Sequence, residues 1–120
     1  MPGPDDFRRI ALAFPGAEEK AHMSHPDFRV GGRIFATLGA PDGDHGMVAL
    51  LPEQQELAMA AEPEAFAPAA GAWGRGGSTL VRLDAVGDEW LERTLRWAWE
   101  RRATKPSSRP FDCLQGRRSG

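Results

Sequence analysis

The sequence predicts a two-layer α+β domain, in which an antiparallel sheet of about five strands is packed by helices on one face. Three observations support this fold class. Apolar residues recur at helical spacing near both ends of the chain, short strand-like segments follow one another between residues 18 and 51, and paired glycines separate two of them. Because these strands come without helices between them, hairpin connections are expected, and the element order becomes α-β-β-β(-β)-α-β-α.

The first helix is predicted to begin at Pro4-Asp5-Asp6. An aspartate at this place can cap the free N–H groups of the first turn, and its charge suits the positive end of the helix dipole. Pro15-Gly16 ends the helix. The residues expected to face the core lie on one side of the helix: Phe7, Ile10, Ala11 and Phe14.

Residues 18–51 are predicted to contain strands, with a hairpin turn at Gly31-Gly32, because glycine readily adopts the positive φ that two-residue turns need. The turn sets a register that pairs Val30 with Arg33 and Phe28 with Phe35. In that register one face carries Phe28, Val30, Phe35 and Thr37, and the other carries Asp27, Arg29, Ile34 and Ala36. The second face is therefore mixed in polarity.

Residues 40–46 are predicted to form a loop, because proline, glycine and aspartate interrupt regular secondary structure there. The apolar run that follows, residues 47–51, predicts a buried strand. A second helix is expected to begin at Pro52 and to stop near Glu62, because the residue before a proline is pushed out of helical space. The weak apolar face of this helix consists of Leu57, Ala58 and Ala61.

Residues 65–77 are rich in Ala, Pro and Gly and predict an ordered loop that is pinned by Phe66 and Trp73. The next segment, from Ser78 to Asp84, alternates between apolar and polar positions and therefore predicts a strand. Thr79, Val81 and Leu83 are expected on one face of this strand, with Leu80 and Ser78 on the other.

The last helix begins at Gly87-Asp88-Glu89 and carries a central apolar stripe of Leu91, Leu95 and Ala98. Three further apolar residues flank this stripe: Trp90, Trp97 and Trp99. Together they make more than half of the helix circumference apolar, which is more than can pack against one face of a sheet. Core packing is the favoured interpretation of these tryptophans. An exposed tryptophan edge that serves a partner is the alternative.

Charge is unevenly distributed along the chain. The formal net charge is -2, which excludes a uniformly basic nucleic-acid-binding surface. Residues 1–92 carry 7 basic and 15 acidic groups, whereas residues 93–120 carry 8 basic and 2 acidic groups. We interpret the basic end as a solvated helix end and tail, with a basic arm for an anionic partner as the alternative. Residues 1–103 are expected to form one domain, and residues 104–120 a flexible basic tail.

The single cysteine, Cys113, excludes an intrachain disulfide. The first residues show neither a basic flank nor an apolar run, and no apolar stretch approaches the ~20 residues that span a bilayer. These observations predict a cytoplasmic protein.

Several partial motifs do not support catalysis or metal binding. The segment 71–78 approaches the phosphate-binding pattern GxxxxGK[ST] but has Gly77 in the lysine position. His22 and His25 are three residues apart, so on one strand they face opposite sides and cannot share a metal ion.

Cys113 falls in the predicted tail, where no base lies nearby to activate it as a nucleophile. A calcium loop at residues 42–53 would have Met47 where a glycine is needed. We therefore expect no enzyme activity, no cofactor and no metal.

The segment from His25 to Leu38, HPDFRVGGRIFATL, strongly resembles the MmcQ/YjbR family of small bacterial proteins, as do Phe14–Glu19 and the region from Pro68 to Leu83. The resemblance covers roughly residues 5–103. It implies a compact α+β fold, likened to secretion-chaperone and frataxin-like two-layer domains. It also implies DNA binding through a double wing of hairpins, which here would be the Gly31-Gly32 hairpin and the Pro41–Gly46 loop. It implies no catalytic residues.

The resulting functional hypothesis is a non-enzymatic DNA-binding domain that contacts the phosphate backbone. The residues expected to make these contacts are Lys20, His25, Arg29, Arg33 and Arg82, with help from the arginines of the last helix. The alternative is a partner-binding or chaperone-like module that uses an exposed tryptophan surface or a sheet edge and does not bind nucleic acid. A third hypothesis is a small-molecule pocket near Trp73 and Phe66.

Overall fold

The computed structural model describes residues 3–22, 25–39 and 43–103, and confirms the predicted two-layer α+β fold. The described helices are α1 (Pro4–Ala13), α2 (Pro52–Ala61), α3 (Gly71–Arg75) and α4 (Asp88–Ala103). The described strands are β1 (Glu18–His22), β2 (His25–Val30), β3 (Arg33–Leu38), β4 (His45–Ala49), β5 (Phe66–Pro68) and β6 (Ser78–Arg82). The sheet therefore has six strands in the described part of the chain, one more than expected.

The strands lie in the order β1-β2-β3-β4-β6-β5, and every neighbouring pair is antiparallel. Helix α4 crosses β3, β4 and β2, and α1 packs beside it. The sheet face beneath these helices, the covered face, carries Phe28, Ala36, Val48 and Val81, all buried. The opposite face, the open face, carries Arg29, Thr37, Met47 and Leu80, all partly exposed.

The predicted hairpin is present, but its register changes after two residues. Gly31 and Gly32 have φ values of 60° and 82°, and Val30 pairs with Arg33 as predicted. The predicted pairing of Phe28 with Phe35 is wrong, because a β-bulge shifts Phe28 onto Ala36. The bulge inserts one extra residue, so Phe35 and Ala36 are both buried although they are adjacent. Thr37 consequently moves to the open face, contrary to the prediction.

The core between sheet and helices contains the residues that the helical spacing predicted. Phe7 and Ala11 of α1 are fully buried, as are the residues of the α4 stripe, Leu91, Leu95 and Ala98. The tryptophans of α4 pack against this core, as the favoured interpretation predicted. Trp99 stacks on Phe14 at 5.6 Å between ring centroids, and Trp90 meets Trp97 edge to face at 6.0 Å.

The predicted apolar face of α2 is wrong in two of its three positions, because Leu57 is 56% exposed and Ala61 is also exposed. The helix buries Gln55 and Ala58 instead. The amide of Gln55 donates hydrogen bonds to the carbonyl oxygens of Gly74 and Ser78, each at 3.1 Å. A buried polar group that is satisfied by backbone carbonyls thus ties α2 to the segment that precedes β6.

The segment predicted as a loop over residues 65–77 contains strand β5 and the short helix α3. Phe66 is buried and meets Trp90 edge to face, as an anchoring residue should. Trp73 does not pin the segment, because 71% of it is exposed. No helix in the described part of the chain is long and apolar enough to cross a membrane.

Candidate functional site

The open face of the sheet contains a trough of about 750 Å³. Its floor comes from the middle strands and includes Ile34, Thr37, Met47 and Ala49. The remainder is contributed by the β2–β3 hairpin, the segment before and within α3, and the last turn of α4. The polar and aromatic residues supplied by these elements are His25, Arg29, Arg33, Trp73 and Arg102. The trough therefore combines an apolar floor with a rim of cations and one indole.

The charge of the trough is opposite in sign to that of the whole chain. Three arginines line it, and no aspartate or glutamate is among the described residues that do. The chain as a whole carries a net charge of -2. Because charges within a concave surface act together over a short range, the local excess of cations attracts anions even though the molecule is acidic.

Arg29 is held in place by a buried carboxylate. Its Nε donates to Oδ1 of Asp27 at 2.8 Å, and its Nη2 donates to Oδ2 at 3.2 Å. The side chain of Asp27 is 1% exposed, and that of Arg29 is 28% exposed. Hydrogen bonding to Asp27 raises the pKa of Arg29, burial opposes this change, and the charge of Asp27 adds to it. Arg29 is therefore a rigid part of the trough wall, and Asp27 balances much of its charge.

Arg102, unlike Arg29, lies beside other cations and not beside a carboxylate of the described residues. Its Nε is buried and has no hydrogen-bond partner among the described residues. Burial lowers the pKa of Arg102, and the charges of Arg101 and Arg33 lower it further. Arg33 lines the trough together with Arg102, and Arg101 lines an adjoining concavity together with Arg102. We call Arg33, Arg101 and Arg102 the arginine corner. An anion placed in this corner would offset the repulsion that the charges of Arg101 and Arg33 exert on Arg102.

Arg101 is fixed by the backbone rather than by a carboxylate. Its Nη1 donates to the carbonyl oxygen of Leu50 and, at 3.5 Å, to that of Gly76. A second concavity of about 230 Å³ adjoins the corner. Its lining includes Trp73, Arg101 and Arg102, so Trp73 and Arg102 border both concavities.

Trp73 is presented by the tight turn of α3 rather than by the core. Gly74, the next residue, is buried, and a Cβ atom there would overlap the carbonyl oxygen of Ala69. The absence of a side chain at Gly74 lets α3 fold back closely on the segment before it. This packing holds the indole of Trp73 at the rim of the trough while leaving it exposed.

The structure brings three of the five predicted DNA-contacting residues together, since His25, Arg29 and Arg33 line the trough. Lys20 pairs with Asp27 in the register of β1 and β2, which places it on the open face but on an outer strand. Arg82 lies at the far end of β6, where its Nε donates to Oδ1 of Asp84 at 3.1 Å. Arg82 is not among the described residues that line the trough.

The sequence predicted that arginines of the last helix assist binding, but it did not single out Arg102. Trp73 was predicted to pin its segment, which is wrong, and to border a small-molecule pocket together with Phe66. Trp73 lines the trough, whereas Phe66 is not among its described lining residues. The uneven charge was the signal for Arg102, because the alternative interpretation of residues 93–120 was a basic arm for an anionic partner. For Trp73 the sequence feature that indicates its exposure is the next residue, Gly74. A glycine there lets the backbone pack closely, so the segment can be held in place without burial of the indole.

Some predicted features fall partly or wholly outside the described residues. These are residues 41–42 of the second predicted wing, the tail at residues 104–120, and Cys113 within that tail. Among residues 3–22, 25–39 and 43–103, no group of three His, Cys, Asp or Glu residues is placed so that it could hold a metal ion.

Comparison with known proteins places this geometry in a family. The model of the YjbR family matches residues 12–101, which is 90 of the 120 residues. The crystal structure of Deinococcus radiodurans protein DR2400, described by the domain DUF419, is similar in fold, with a TM-score of 0.69 and 24% sequence identity over 82% of this chain and 76% of that chain. No curated protein matches. The predicted resemblance is thus confirmed, and the chain belongs to the YjbR family.

Proposed function

We propose that this protein is a cytoplasmic DNA-binding protein without catalytic activity, which holds the phosphate backbone in the trough of the open face. One observation carries the proposal. Arg33 and Arg102 line a single apolar concavity beside Arg29, whose charge is balanced by Asp27, and no carboxylate is among the described lining residues. Guanidinium groups bind phosphate oxygens with two parallel hydrogen bonds, which makes arginine well suited to nucleic-acid backbones.

The composition of the trough supports a ligand that has both charge and apolar surface. Ile34, Met47 and Ala49 offer an apolar floor that a sugar or base can contact. His25 and Thr37 add hydrogen-bonding groups at the edge of this floor. Phosphate contacts at the rim together with apolar contacts beneath are the combination that nucleic-acid-binding surfaces use.

The proposed surface differs from a symmetric pair of wings. The Gly31-Gly32 hairpin supplies Arg33, and the rest of the cationic rim comes from β2 and the end of α4. Arg82 is engaged with Asp84 and stands apart from this rim. We therefore assign the binding role to the first hairpin and the end of α4.

Salt dependence of binding tests the proposal. A fluorescein-labelled DNA of about 20 nucleotides is titrated with protein at 50 and 200 mM salt, as both single strand and duplex, and anisotropy is measured. Because Arg29 is paired with Asp27, Arg33 and Arg102 are the two arginines counted as phosphate contacts. Two contacts give a salt slope of about -1.4 to -1.8, so affinity should fall roughly 7- to 12-fold over this range. No binding to either form at the lower salt concentration would refute the proposal.

Paired variants connect the binding to the trough. Arg33→Gln combined with Arg102→Gln should weaken binding and reduce the salt slope by about 1.5. The matched control combines Arg9→Gln with Arg96→Gln, which removes the same charge from exposed ion pairs on α1 and α4. Equal losses in both double variants would show that net charge, and not the trough, determines binding.

Recognition of a protein partner is the second candidate function. It is favoured by the exposure of Trp73 and by β1, which lies at an edge of the described sheet. An edge strand offers unpaired backbone groups to a further strand. This candidate expects a concentration-dependent dimer or hetero-complex by light scattering and no salt-sensitive affinity for DNA.

A further inference from the structure

We infer that the arginine corner and Trp73 form a subsite for one nucleotide of an unpaired DNA strand, with its phosphate at Arg33 and Arg102 and its base stacked on Trp73. The inference rests on the proposed function and specifies the form of DNA that the trough selects. Two independent observations support it, one at each end of the subsite.

The phosphate end is defined by an unsatisfied cation. The buried Nε of Arg102 has no acceptor among the described residues, and Arg33 and Arg101 place further positive charge beside it. Arg101 is directed toward the carbonyl oxygens of Leu50 and Gly76, so its position is fixed by the fold. A phosphate can accept from Arg102 and at the same time offset the repulsion between the three guanidinium groups.

The base end is defined by an exposed aromatic ring next to these cations. Trp73 is 71% exposed and lines both concavities that Arg102 lines. The other tryptophans, Trp90, Trp97 and Trp99, pack against the core. A nucleobase has an aromatic face whatever its identity, so an indole at this place can stack on any base without reading the sequence.

An unpaired strand fits the subsite better than a duplex does. In a duplex the base faces are stacked on one another, so Trp73 could reach one only if the base left the helix. A single strand exposes its base faces and phosphates together. The trough volume of about 750 Å³ is within the range of cavities that enclose one small organic molecule, which suits one or two nucleotides.

The test compares three DNA probes by anisotropy and calorimetry: a single strand of about 12 nucleotides, a duplex of the same sequence, and a deoxynucleoside monophosphate. Wild-type protein should bind the single strand at least 10-fold more tightly than the duplex. Trp73→Ala should weaken binding of the single strand roughly 5- to 100-fold and change binding of the duplex less than 2-fold. Trp73→Phe should restore most of the loss, because stacking needs only an aromatic face.

Leu57→Ala is the matched control, because Leu57 is also a large exposed apolar residue but lies on α2 and not among the described lining residues of the trough. This variant should bind all probes as wild type does.

If DNA binds but Trp73→Ala has no effect, or if the duplex binds as tightly as the single strand, the inference is wrong and the proposed function stands. If the monophosphate binds as tightly as the single strand, the site takes a free nucleotide instead. If neither DNA form binds, the proposed function itself fails.

Discussion

Arg29 and Arg102 line the same trough, yet their surroundings shift their pKa values in opposite directions. Arg29 donates two hydrogen bonds to the buried carboxylate of Asp27, which raises its pKa. Arg102 is partly buried beside two other arginines, which lowers its pKa. The first residue stabilises the fold through its partner. The Nε of the second finds no acceptor among the described residues, an arrangement that is common at binding sites.

At the residue scale, Arg102→Gln is expected to stabilise the free protein. The pKa of Arg102 is lowered, so the folded state disfavours its charged form, and this cost is present throughout the ordinary pH range because the residue stays protonated. Removing the charge should raise Tm by roughly 1–4 °C in a thermal unfolding experiment at neutral pH. The same variant should bind DNA more weakly. A lower Tm would show that Arg102 has a structural role.

At the element scale, the hairpin turn could be predicted from the sequence, whereas the β-bulge in β3 could not. The Gly31-Gly32 pair makes a turn in almost any context, because glycine tolerates the positive φ at both positions. The bulge that buries both Phe35 and Ala36 has no such local signal. It depends on the space that Phe14 and the helices leave for the Phe35 ring, which is a tertiary property.

Helix α3 supplies the element-scale prediction. Gly74→Ala places a Cβ atom against the backbone carbonyl of Ala69, so β5 and α3 must separate or tilt. We expect a loss of stability of about 1–3 kcal/mol in urea unfolding, together with weaker DNA binding because Trp73 is displaced. Gly76→Ala is the control, since the nearest atoms to its Cβ would be at 3.6 Å and its φ is -82°. Similar losses of stability in both variants would contradict the close approach at Gly74.

For the whole molecule, the sequence was sufficient for the fold class and for part of the site. Helical spacing predicted the core residues of α1 and α4, and the choice of His25, Arg29 and Arg33 followed from their places on or beside one hairpin. The sequence did not predict that Trp73 and Arg102 would share one site with these residues. Trp73 and Arg102 are distant in sequence from the hairpin, and only the packing of α3 and α4 against the sheet brings them to the trough.

The net charge of the chain and the charge of the trough are opposite in sign. An acidic chain is a poor candidate for nucleic-acid binding if the net charge of -2 is used alone. The fold collects Arg29, Arg33 and Arg102 on one concave surface, whereas the acidic groups of Asp5, Asp6 and Glu89 lie on helices outside the described lining of the trough. Binding should therefore be confined to one part of the molecular surface.

The most direct test of this claim is an NMR titration of ¹⁵N-labelled protein with unlabelled single-stranded DNA. We expect the largest chemical shift changes at the backbone amides of Arg33 and Arg102 and at the indole N–H of Trp73, with small changes along α1. Changes that centre on α1 or on the Arg82–Asp84 pair, with Trp73 unaffected, would contradict the assignment of binding to the trough.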